Sequence, residues 1–501
     1  MRKLGALDAN FFYTETASTP NHISSLQIFE LPPGCDESTF VEGLKTFLDE
    51  RKHLVQYLTH KVRFVPANFD HPVWVPDPSF NVANHVTRID LPFPADFARL
   101  EAAVADIHAE LMDRDRPLWH IYVITGLEGG RIAYYNQAHH AAMDGMAGQA
   151  ATEVMMDTTP NHPAPPAVHE KVTRSESMTE MLRLSFENLV NFYIDAPNRT
   201  LGTVDSMSRL LRRSLDPRRA TAGLSKLPPR TRFNRSIGKR RTYAAGQMPI
   251  SEMKAMAKAS GSKLNDVFLA ACAGGLRAYL SRRGELPRQS MVAGCPVSLR
   301  KSVGDDLGNQ VTMMSVSLAT DIADPVLRLR SILDSSLEAK SITQDLMPAY
   351  NPEVSLPGLP TVITSAMRVV DRFRLAEVMQ PMINLVISNV PGPKETLYSN
   401  GARMLTHYPV SIPTHGLGLN ITVSSYVDQM YFSVNGCARA LPDAQQLRDD
   451  IAAAYAELRD LLLPMASVSP LKRVPENKVT EVKPQEALEL MDEQMPSFAA
   501  S

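Results

Sequence analysis

The chain contains no long apolar run that would suggest a membrane span or a signal peptide. A transmembrane helix needs about 18 or more continuous apolar residues, and the 501-residue sequence contains no such stretch. The first twenty residues, MRKLGALDANFFYTETASTP, also lack the apolar core of a secretory signal. We therefore expect a protein that is not secreted and does not span a membrane.

Cysteine is scarce, and its positions exclude two common uses. The four cysteines, Cys35, Cys272, Cys295 and Cys437, lie singly, with no CxxC pair. This pattern fits neither a disulfide framework nor a zinc ribbon, and it indicates a reducing compartment. The expected location is the cytoplasm.

The chain also lacks a general excess of charge, because its formal net charge is −2 at pH 7. This balance gives no overall attraction to nucleic acid, so no nucleic-acid partner is expected. One local exception runs from Asp205 to Arg241, with twelve lysines and arginines against two aspartates. It is either a solvated interdomain linker or a surface for anionic phospholipid or for the phosphates of a ligand.

The length exceeds that of one ordinary hydrophobic core and predicts two domains. HISSLQIFEL is typical of a strand, DESTFVEGLKTFLDERKHLV of a helix, and HIYVITGLEGGRIAYYNQAHH of two strands around a Glu-Gly-Gly turn. Similar α/β patterns return after residue 246. We expect an α/β (α+β) fold with a first domain over 1–160, a basic linker or crossover over 161–245, a second domain over 246–465, and a mobile tail over 466–501.

The stretch AHHAAMDGMAG, residues 138–148, is the most informative part of the sequence. Its two adjacent histidines follow a predicted strand, and neighbouring side chains on a strand point to opposite faces. They are therefore poorly placed to bind one metal ion together, and no HExxH or Cys/His cluster supplies further ligands. We expect no metal. A polar turn without a function is the simplest alternative.

The string HHxxxDG, formed here by His139, His140, Asp144 and Gly145, matches the signature of the CoA-dependent acyltransferase superfamily. The chain further resembles the bacterial wax ester synthase/diacylglycerol acyltransferase family over residues 4–463. The stretches that carry this resemblance are LGALDANFFYTET, RPLWH, RTRFN, KLNDV, CPVSLR, LGNQ, ISNVPGP and LNITVSSY, in this order.

The resemblance implies two chloramphenicol-acetyltransferase-like domains with an active-site channel at their interface. It implies a long-chain acyl group that moves from acyl-CoA, a co-substrate, to a fatty alcohol or a diacylglycerol. No permanently bound cofactor is expected. The protein would contact a membrane or a lipid droplet only peripherally.

Acyl transfer to an alcohol needs a base for the hydroxyl proton. By its position in the motif, His140 is that base, and His139 supports the geometry of the site. The resemblance implies a structural ion pair of Asp144 with an arginine, for which Arg300 is our candidate. Gly145 would permit either a close backbone approach or a positive φ. Because no GxSxG motif occurs, we expect direct attack without an acyl-enzyme.

Other assignments are less specific. Asn265 or Asn420 would stabilise the oxyanion or support the site, although Asn265 equally suits a helix cap. Weaker candidates line the substrate channel or simply pack in a core: Pro117, Leu118, Trp119, Gly308 and Asn309.

Besides a metal hydrolase, which loss of activity to a chelator would reveal, two other functions stay open at this point. The first is a condensation-type acyltransferase that takes its acyl group from the thioester of a carrier protein. The second is a non-catalytic protein that binds lipid surfaces.

Overall fold

The computed structural model describes residues 2–161, 163–166, 183, 185–187, 227–298, 311–346 and 358–464. Three of the predicted site residues, Arg300, Gly308 and Asn309, lie outside these ranges. So do the first part of the basic segment and the expected tail over 466–501.

The described residues form two six-stranded sheets, a three-stranded sheet and nine long helices. The strands are β1 (Arg2–Lys3), β2 (His22–Glu30), β3 (His60–Arg63), β4 (Val73–Pro76), β5 (Val86–Ala95), β6 (Trp119–Leu127), β7 (Arg131–His139), β8 (Arg241–Pro249), β9 (Val292–Ser298), β10 (Val311–Ser317), β11 (Leu385–Val390), β12 (Tyr398–Ser399), β13 (Ala402–Val410), β14 (Leu419–Tyr426) and β15 (Gln429–Cys437). The helices are α1 (Ala6–Thr14), α2 (Glu37–Arg51), α3 (Phe97–Ile107), α4 (Gly145–Met155), α5 (Ile250–Ser260), α6 (Leu264–Arg282), α7 (Pro325–Leu346), α8 (Leu359–Arg372) and α9 (Ala444–Leu462). The α/β prediction is confirmed.

The first large sheet has the strand order β12-β13-β2-β7-β6-β5, and only its β5–β6 pair is parallel. The predicted hairpin is its centre: β6 and β7 pair antiparallel, and the turn between them uses Gly129 and Gly130 at φ 75° and 65°. Only glycine adopts such angles readily, so these two residues direct the chain back along the sheet.

Helices α2 and α3 cover this sheet with apolar stripes at helical spacing. On α2 the buried side chains include Phe40, Leu44 and Phe47, which follow one face of the helix. Asp36 starts this helix by accepting hydrogen bonds from the backbone N–H groups of Ser38 and Thr39, each at 3.0 Å. The cap satisfies donors that have no partner inside the helix.

The second large sheet has the order β10-β9-β11-β14-β15-β8 and packs on α6. Two consecutive glycines, Gly274 and Gly275, lie inside α6, where glycine normally destabilises a helix. A Cβ added to Gly275 would lie 2.7 Å from the backbone nitrogen of Ile451. The glycines therefore allow α9 to approach α6 closely.

The two halves of the chain are interlocked. Strands β12 and β13 follow most of the second sheet in sequence, but β13 pairs antiparallel with β2 in the first sheet. A buried carboxylate adds a second link: Glu101 on α3 accepts a hydrogen bond of 2.8 Å from the backbone N–H of Ala245. The precise domain boundaries stay a prediction, but the expected second domain contributes strands to the first sheet.

The described part of the basic segment, residues 227–241, is built into the fold. Arg230 donates to the backbone carbonyls of Ala376 and Met379, and buried Arg241 donates to the carbonyl of Ser18. Guanidinium groups with several fixed donors suit this use. Arg230 and Arg241 thus connect distant segments of the chain, while Arg235, Lys239 and Arg240 are exposed. The interpretation of residues 161–245 as a basic linker or crossover stays a prediction.

No helix in the described part of the chain is long and apolar enough to cross a membrane.

Candidate active site

The HHxxxDG turn begins where β7 ends. His139 is the last residue of this strand and is paired with His22 of β2, while its backbone N–H donates to the carbonyl of Leu118 at 3.0 Å. The backbone N–H of His140 donates to the carbonyl of Asn21 at 2.9 Å. These two hydrogen bonds fix the main chain at both histidines. Because neighbouring side chains at a strand end point to opposite sides, the two imidazole rings point in different directions.

His139 is buried in a closed environment. Its Nδ1 accepts a hydrogen bond of 3.1 Å from the backbone N–H of Ala141, so the ring proton lies on Nε2. Nε2 is 2.8 Å from Oε2 of Glu15, and the ring stacks on Phe12 with 4.2 Å between centroids. Both ring nitrogens are thus used, which leaves no site for a substrate proton.

Glu15 is the residue of this network that sequence analysis did not assign. Its second oxygen, Oε1, is 2.8 Å from Nη2 of Arg114. Burial by itself raises the pKa of Glu15, but hydrogen bonds with His139 and Arg114, together with the positive charge of Arg114, outweigh burial and lower it to about 2. Glu15 is therefore ionised, and it fixes the tautomer and the orientation of His139.

His140 faces the other way, into a cavity. It is half-buried, and its ring stacks on Phe11 with 4.0 Å between centroids and an angle of 9° between planes. Buried Asn21 connects the two residues of this pair. Its side-chain amide donates to the backbone carbonyl of Phe11 at 2.7 Å, and its backbone carbonyl accepts from the backbone N–H of His140. In the sequence, the only trace of this contact between Asn21 and the Phe11–His140 pair is one asparagine directly before β2.

Asp144 and Gly145 start helix α4. Buried Asp144 is its N-cap, and Oδ1 accepts a hydrogen bond of 2.8 Å from the backbone N–H of Ala147. Gly145 has no positive φ; instead, a Cβ at this position would lie 2.9 Å from Cγ2 of Val390. Of the two explanations for this glycine, the close approach is the one that the structure shows. The proposed partner of Asp144, Arg300, lies outside the described residues.

The cavity has a volume of about 570 Å³ and lies between the two large sheets. Its walls are mainly apolar. The first half contributes side chains of α2, β7 and α4, among them Phe47, Leu48 and Met155, and the second half contributes Val386 and Ile412. His140, Asp144 and Gly145 all lie in this wall, so the motif is at the interface of the two halves.

The two asparagines proposed to support the site have different positions. Asn420 on β14 is buried in the cavity wall, where its amide donates to the carbonyl of Ile412 at 3.4 Å. Asn265 is not a helix cap: α6 begins at Leu264, and Asn265 accepts a hydrogen bond of 3.2 Å from Asn389. Asn389 lines the cavity, so Asn265 supports a wall residue from behind.

The PLW stretch combines core and cavity positions. Pro117 and Leu118 are buried outside the cavity wall, and Leu118 packs beside the histidine turn. Trp119 lines the cavity, stacks on His85, and donates from Nε1 to the carbonyl of Leu58 at 2.9 Å. Among the described residues no three histidine, cysteine, aspartate or glutamate side chains are grouped closely enough for a metal ion.

A histidine at the end of a central strand, facing an apolar cavity between two mixed sheets, is the arrangement expected for a chloramphenicol-acetyltransferase-like fold. The first condensation domain of the CDA synthetase shares this fold. The structural alignment covers 94% of this chain and 99% of that domain, with a TM-score of 0.54 and 15% sequence identity.

The chain belongs to the wax ester synthase/diacylglycerol acyltransferase family. Residues 4–268 match the model of the wax ester synthase/diacylglycerol acyltransferase catalytic domain, and residues 307–459 match the WS/DGAT C-terminal domain. The protein is therefore an O-acyltransferase.

Two relatives and one solved structure are similar over most of the chain. A protein of Mycobacterium tuberculosis named as a diacylglycerol O-acyltransferase is 32% identical, covering 91% of this chain and 99% of its own. The O-acyltransferase WSD of Acinetobacter baylyi is 31% identical, and the alignment covers 89% of this chain and 94% of that protein. The wax ester synthase/diacylglycerol acyltransferase structure from Marinobacter aquaeolei VT8 has a TM-score of 0.64 and 27% identity, covering 92% of this chain and 99% of that one.

Proposed function

We propose that this acyltransferase moves a long-chain acyl group from acyl-CoA to a fatty alcohol, giving a wax ester, or to a diacylglycerol, giving a triacylglycerol. His140 is the general base, and the acceptor attacks the thioester directly. The names of the relatives support both acceptor classes. Contact with a membrane or lipid droplet, where such apolar acceptors are found, is peripheral.

The observation that carries the proposal is the position of His140 in the wall of a large, mainly apolar cavity. A cavity of about 570 Å³ is within the usual range for small-molecule sites. Its apolar walls suit alkyl chains and exclude water, which would otherwise hydrolyse the thioester. His140 supplies a titratable group at the cavity surface, and Phe11 holds its ring in one orientation.

In the proposed reaction, the acceptor hydroxyl gives its proton to His140 while its oxygen forms a bond with the thioester carbonyl carbon. The carbonyl π electrons move to oxygen and form a tetrahedral oxyanion. When the carbonyl re-forms, the C–S bond breaks and the electron pair leaves with the CoA sulfur. His140 then returns the proton to this thiolate, so that the products are an ester and CoA, and the enzyme is unchanged.

The oxyanion needs hydrogen-bond donors in the cavity wall. We propose Asn420 for this role rather than Asn265, because the Asn420 side chain lines the cavity whereas Asn265 lies behind Asn389. His139 and Asp144 are positioning residues: one is held by Glu15, and the other caps the helix that follows the motif.

The test is CoA release and ester formation with palmitoyl-CoA, with hexadecanol and dipalmitoylglycerol compared as acceptors. We expect ester formation with at least one acceptor, little CoA release without acceptor, and loss of turnover in His140→Gln. The control is His53→Gln, which should keep its turnover because His53 lies in the short helix Lys52–Leu54 and does not line the cavity. Stoichiometric CoA release without any acceptor would indicate an acyl-enzyme. No ester with either acceptor would contradict the proposed donor and acceptor classes.

A further inference from the structure

Helix α8 and the segment that follows it expose an unusual number of large apolar side chains. Phe373 is 66% exposed, Val378 77% and Met382 75%, and Val362 and Val369 are also exposed. We call these five residues, with Arg372 and Arg374, the α8 surface. Isolated exposed apolar side chains are normal, but a group of them on one element marks an interaction surface.

The spacing shows that this exposure belongs to one face of the helix. Val362, Ala366, Val369 and Phe373 follow one another at intervals of three or four residues and are all exposed. The other side of the helix packs inward through Ile363, which contacts the buried cluster around α1. Helix α8 thus has one partnered side and one apolar side that faces solvent.

Positive charge accompanies the apolar face. Arg372 and Arg374 are exposed, and neither has an ion-pair partner among the residues that the structure describes. Arg368 is also exposed, but it lines a recess with Glu15, Arg114 and Asp371 on another side of the helix. Of the two acidic residues nearby, Glu377 lies 3.9 Å from Arg439, which balances its charge. Asp371 lies 3.1 Å from Nε2 of His415, but burial lowers the pKa of His415, so this contact adds no compensating positive charge. Because the whole chain carries a formal charge of −2, this positive charge is local rather than general.

We propose that the α8 surface docks the protein on an anionic phospholipid surface. An amphipathic helix with basic residues beside its apolar face lies in the plane of such a surface, where the apolar side chains enter the acyl boundary. The arginines then meet lipid phosphates, to which each basic residue adds attraction. A second protein copy would be a poorer partner, since the like charges of the two surfaces would face each other.

This surface lies directly outside the catalytic turn. Ile363 on the inner side of α8 belongs to the same buried cluster as Phe12, Ala141 and Ala142, and Phe12 stacks on His139. Docking through α8 therefore brings the lipid phase next to the wall that carries the histidines. This consequence for substrate supply rests on the proposed function, whereas the docking itself does not.

The test is cosedimentation of the full chain with vesicles of phosphatidylcholine, alone and mixed with phosphatidylglycerol, in the absence of acyl-CoA. We expect binding to the mixed vesicles that weakens with salt, and at least tenfold weaker binding for Phe373→Asp. Arg372→Gln should weaken binding about fivefold. Unfolding midpoints should match the native protein, because both side chains are exposed.

Phe93 provides the matched control, since it is another strongly exposed phenylalanine, at 75%. It lies near the far end of β5, where Ala95 pairs with Leu127 at the end of β6, eight residues from Trp119. At about 3.3 Å per strand residue, this is roughly 25 Å from the histidine end of the sheet. Phe93→Asp should bind vesicles like the native protein.

Unchanged vesicle binding in Phe373→Asp would overturn the proposal, and so would an equal loss in Phe93→Asp. A dimer that dissociates in Phe373→Asp, with no vesicle binding by the native protein, would show that a second copy covers this face instead. The same samples are assayed for ester formation with dispersed hexadecanol. Turnover without vesicle binding contradicts the docking and the peripheral membrane contact but not the acyl transfer, and vesicle binding without turnover contradicts only the acyl transfer.

Discussion

The two sides of the histidine turn differ in almost everything except residue type. On one side, His139 is buried, both its ring nitrogens are hydrogen-bonded, and its carboxylate partner Glu15 also binds Arg114. On the other side, His140 stacks on one aromatic ring and borders a large apolar cavity. The two residues are adjacent in sequence, so their environments differ because their side chains point in opposite directions at the end of the strand.

The comparison supports the proposal that the two identical side chains have different tasks. A histidine whose nitrogens are both committed contributes rigidity, because any rotation of its ring breaks a buried hydrogen bond. A histidine at a cavity wall is available for proton transfer. The stability of the turn should therefore depend on His139 and its partners, and the reaction should depend on His140.

The largest expected effect is on the cavity side. His140→Ala should lower the rate of ester formation by about 100-fold or more, the usual contribution of a general base. Added imidazole should restore part of this rate, because it can enter the space that the missing ring leaves. Rates are measured with palmitoyl-CoA and hexadecanol, with His53→Ala as the control. A full rate in His140→Ala without imidazole would exclude the base assignment.

The next effect is on the closed side. Glu15→Gln keeps the shape of the side chain but removes the charge that binds Arg114 and His139. The folded pKa of Glu15, about 2, is below its ordinary value of 4.5, so its contribution to stability is complete above pH 4.5 and is lost as pH falls toward 2. The shift corresponds to roughly 3 kcal/mol at neutral pH.

Urea unfolding of the native protein and Glu15→Gln at a series of pH values between 7 and 3 checks this. The difference between the two should shrink as the pH falls. The control is Glu110→Gln, which removes an exposed ion pair with Lys239 and should change stability by less than about 1 kcal/mol. A constant difference over the whole pH range would contradict the ionised state of buried Glu15.

A smaller effect is expected where the turn enters α4. Gly145→Ala places a methyl group against Val390 and should destabilise the fold by about 1–3 kcal/mol through overpacking. Removing bulk from the partner in the double variant Gly145→Ala/Val390→Ala should recover part of this loss. The four proteins of this cycle are compared by thermal unfolding. Strictly additive losses would show that the two residues do not meet.

The smallest effect concerns the cap of α4. Asp144→Ala should lose about 1 kcal/mol, whereas Asp144→Asn keeps an oxygen that accepts from the N–H of Ala147 and should retain most of that stability. Chemical unfolding of both variants separates two roles of this aspartate. If Asp144→Asn is as damaging as Asp144→Ala, the negative charge matters more than the cap, as an ion pair would require.

The sequence predicted the elements that depend on local patterns. The hairpin of β6 and β7 was predicted from alternating apolar residues and the Glu-Gly-Gly turn, and the structure shows Gly129 and Gly130 in left-handed conformations. Helix α2 likewise matches its predicted segment. These features depend only on the conformational preferences and apolar periodicity of residues that are close in sequence.

Features that join distant residues were not predictable in the same way. Nothing local indicates that β13 pairs with β2 instead of continuing the second sheet, because pairing depends on partners hundreds of residues apart. Glu15 was missed for the same reason: it lies 124 residues from His139, and a lone glutamate in TET carries no signal. Helix α8 was missed because its apolar face does not enter a core.

The division of roles between the two histidines is tested most directly by measuring His139→Gln and His140→Gln side by side, for ester formation and for unfolding midpoint. The account predicts that His140→Gln loses nearly all turnover at an unchanged midpoint. His139→Gln should unfold at a lower temperature and keep a larger share of its rate. A stable but inactive His139→Gln beside an active His140→Gln would contradict the account and assign proton transfer to the buried ring.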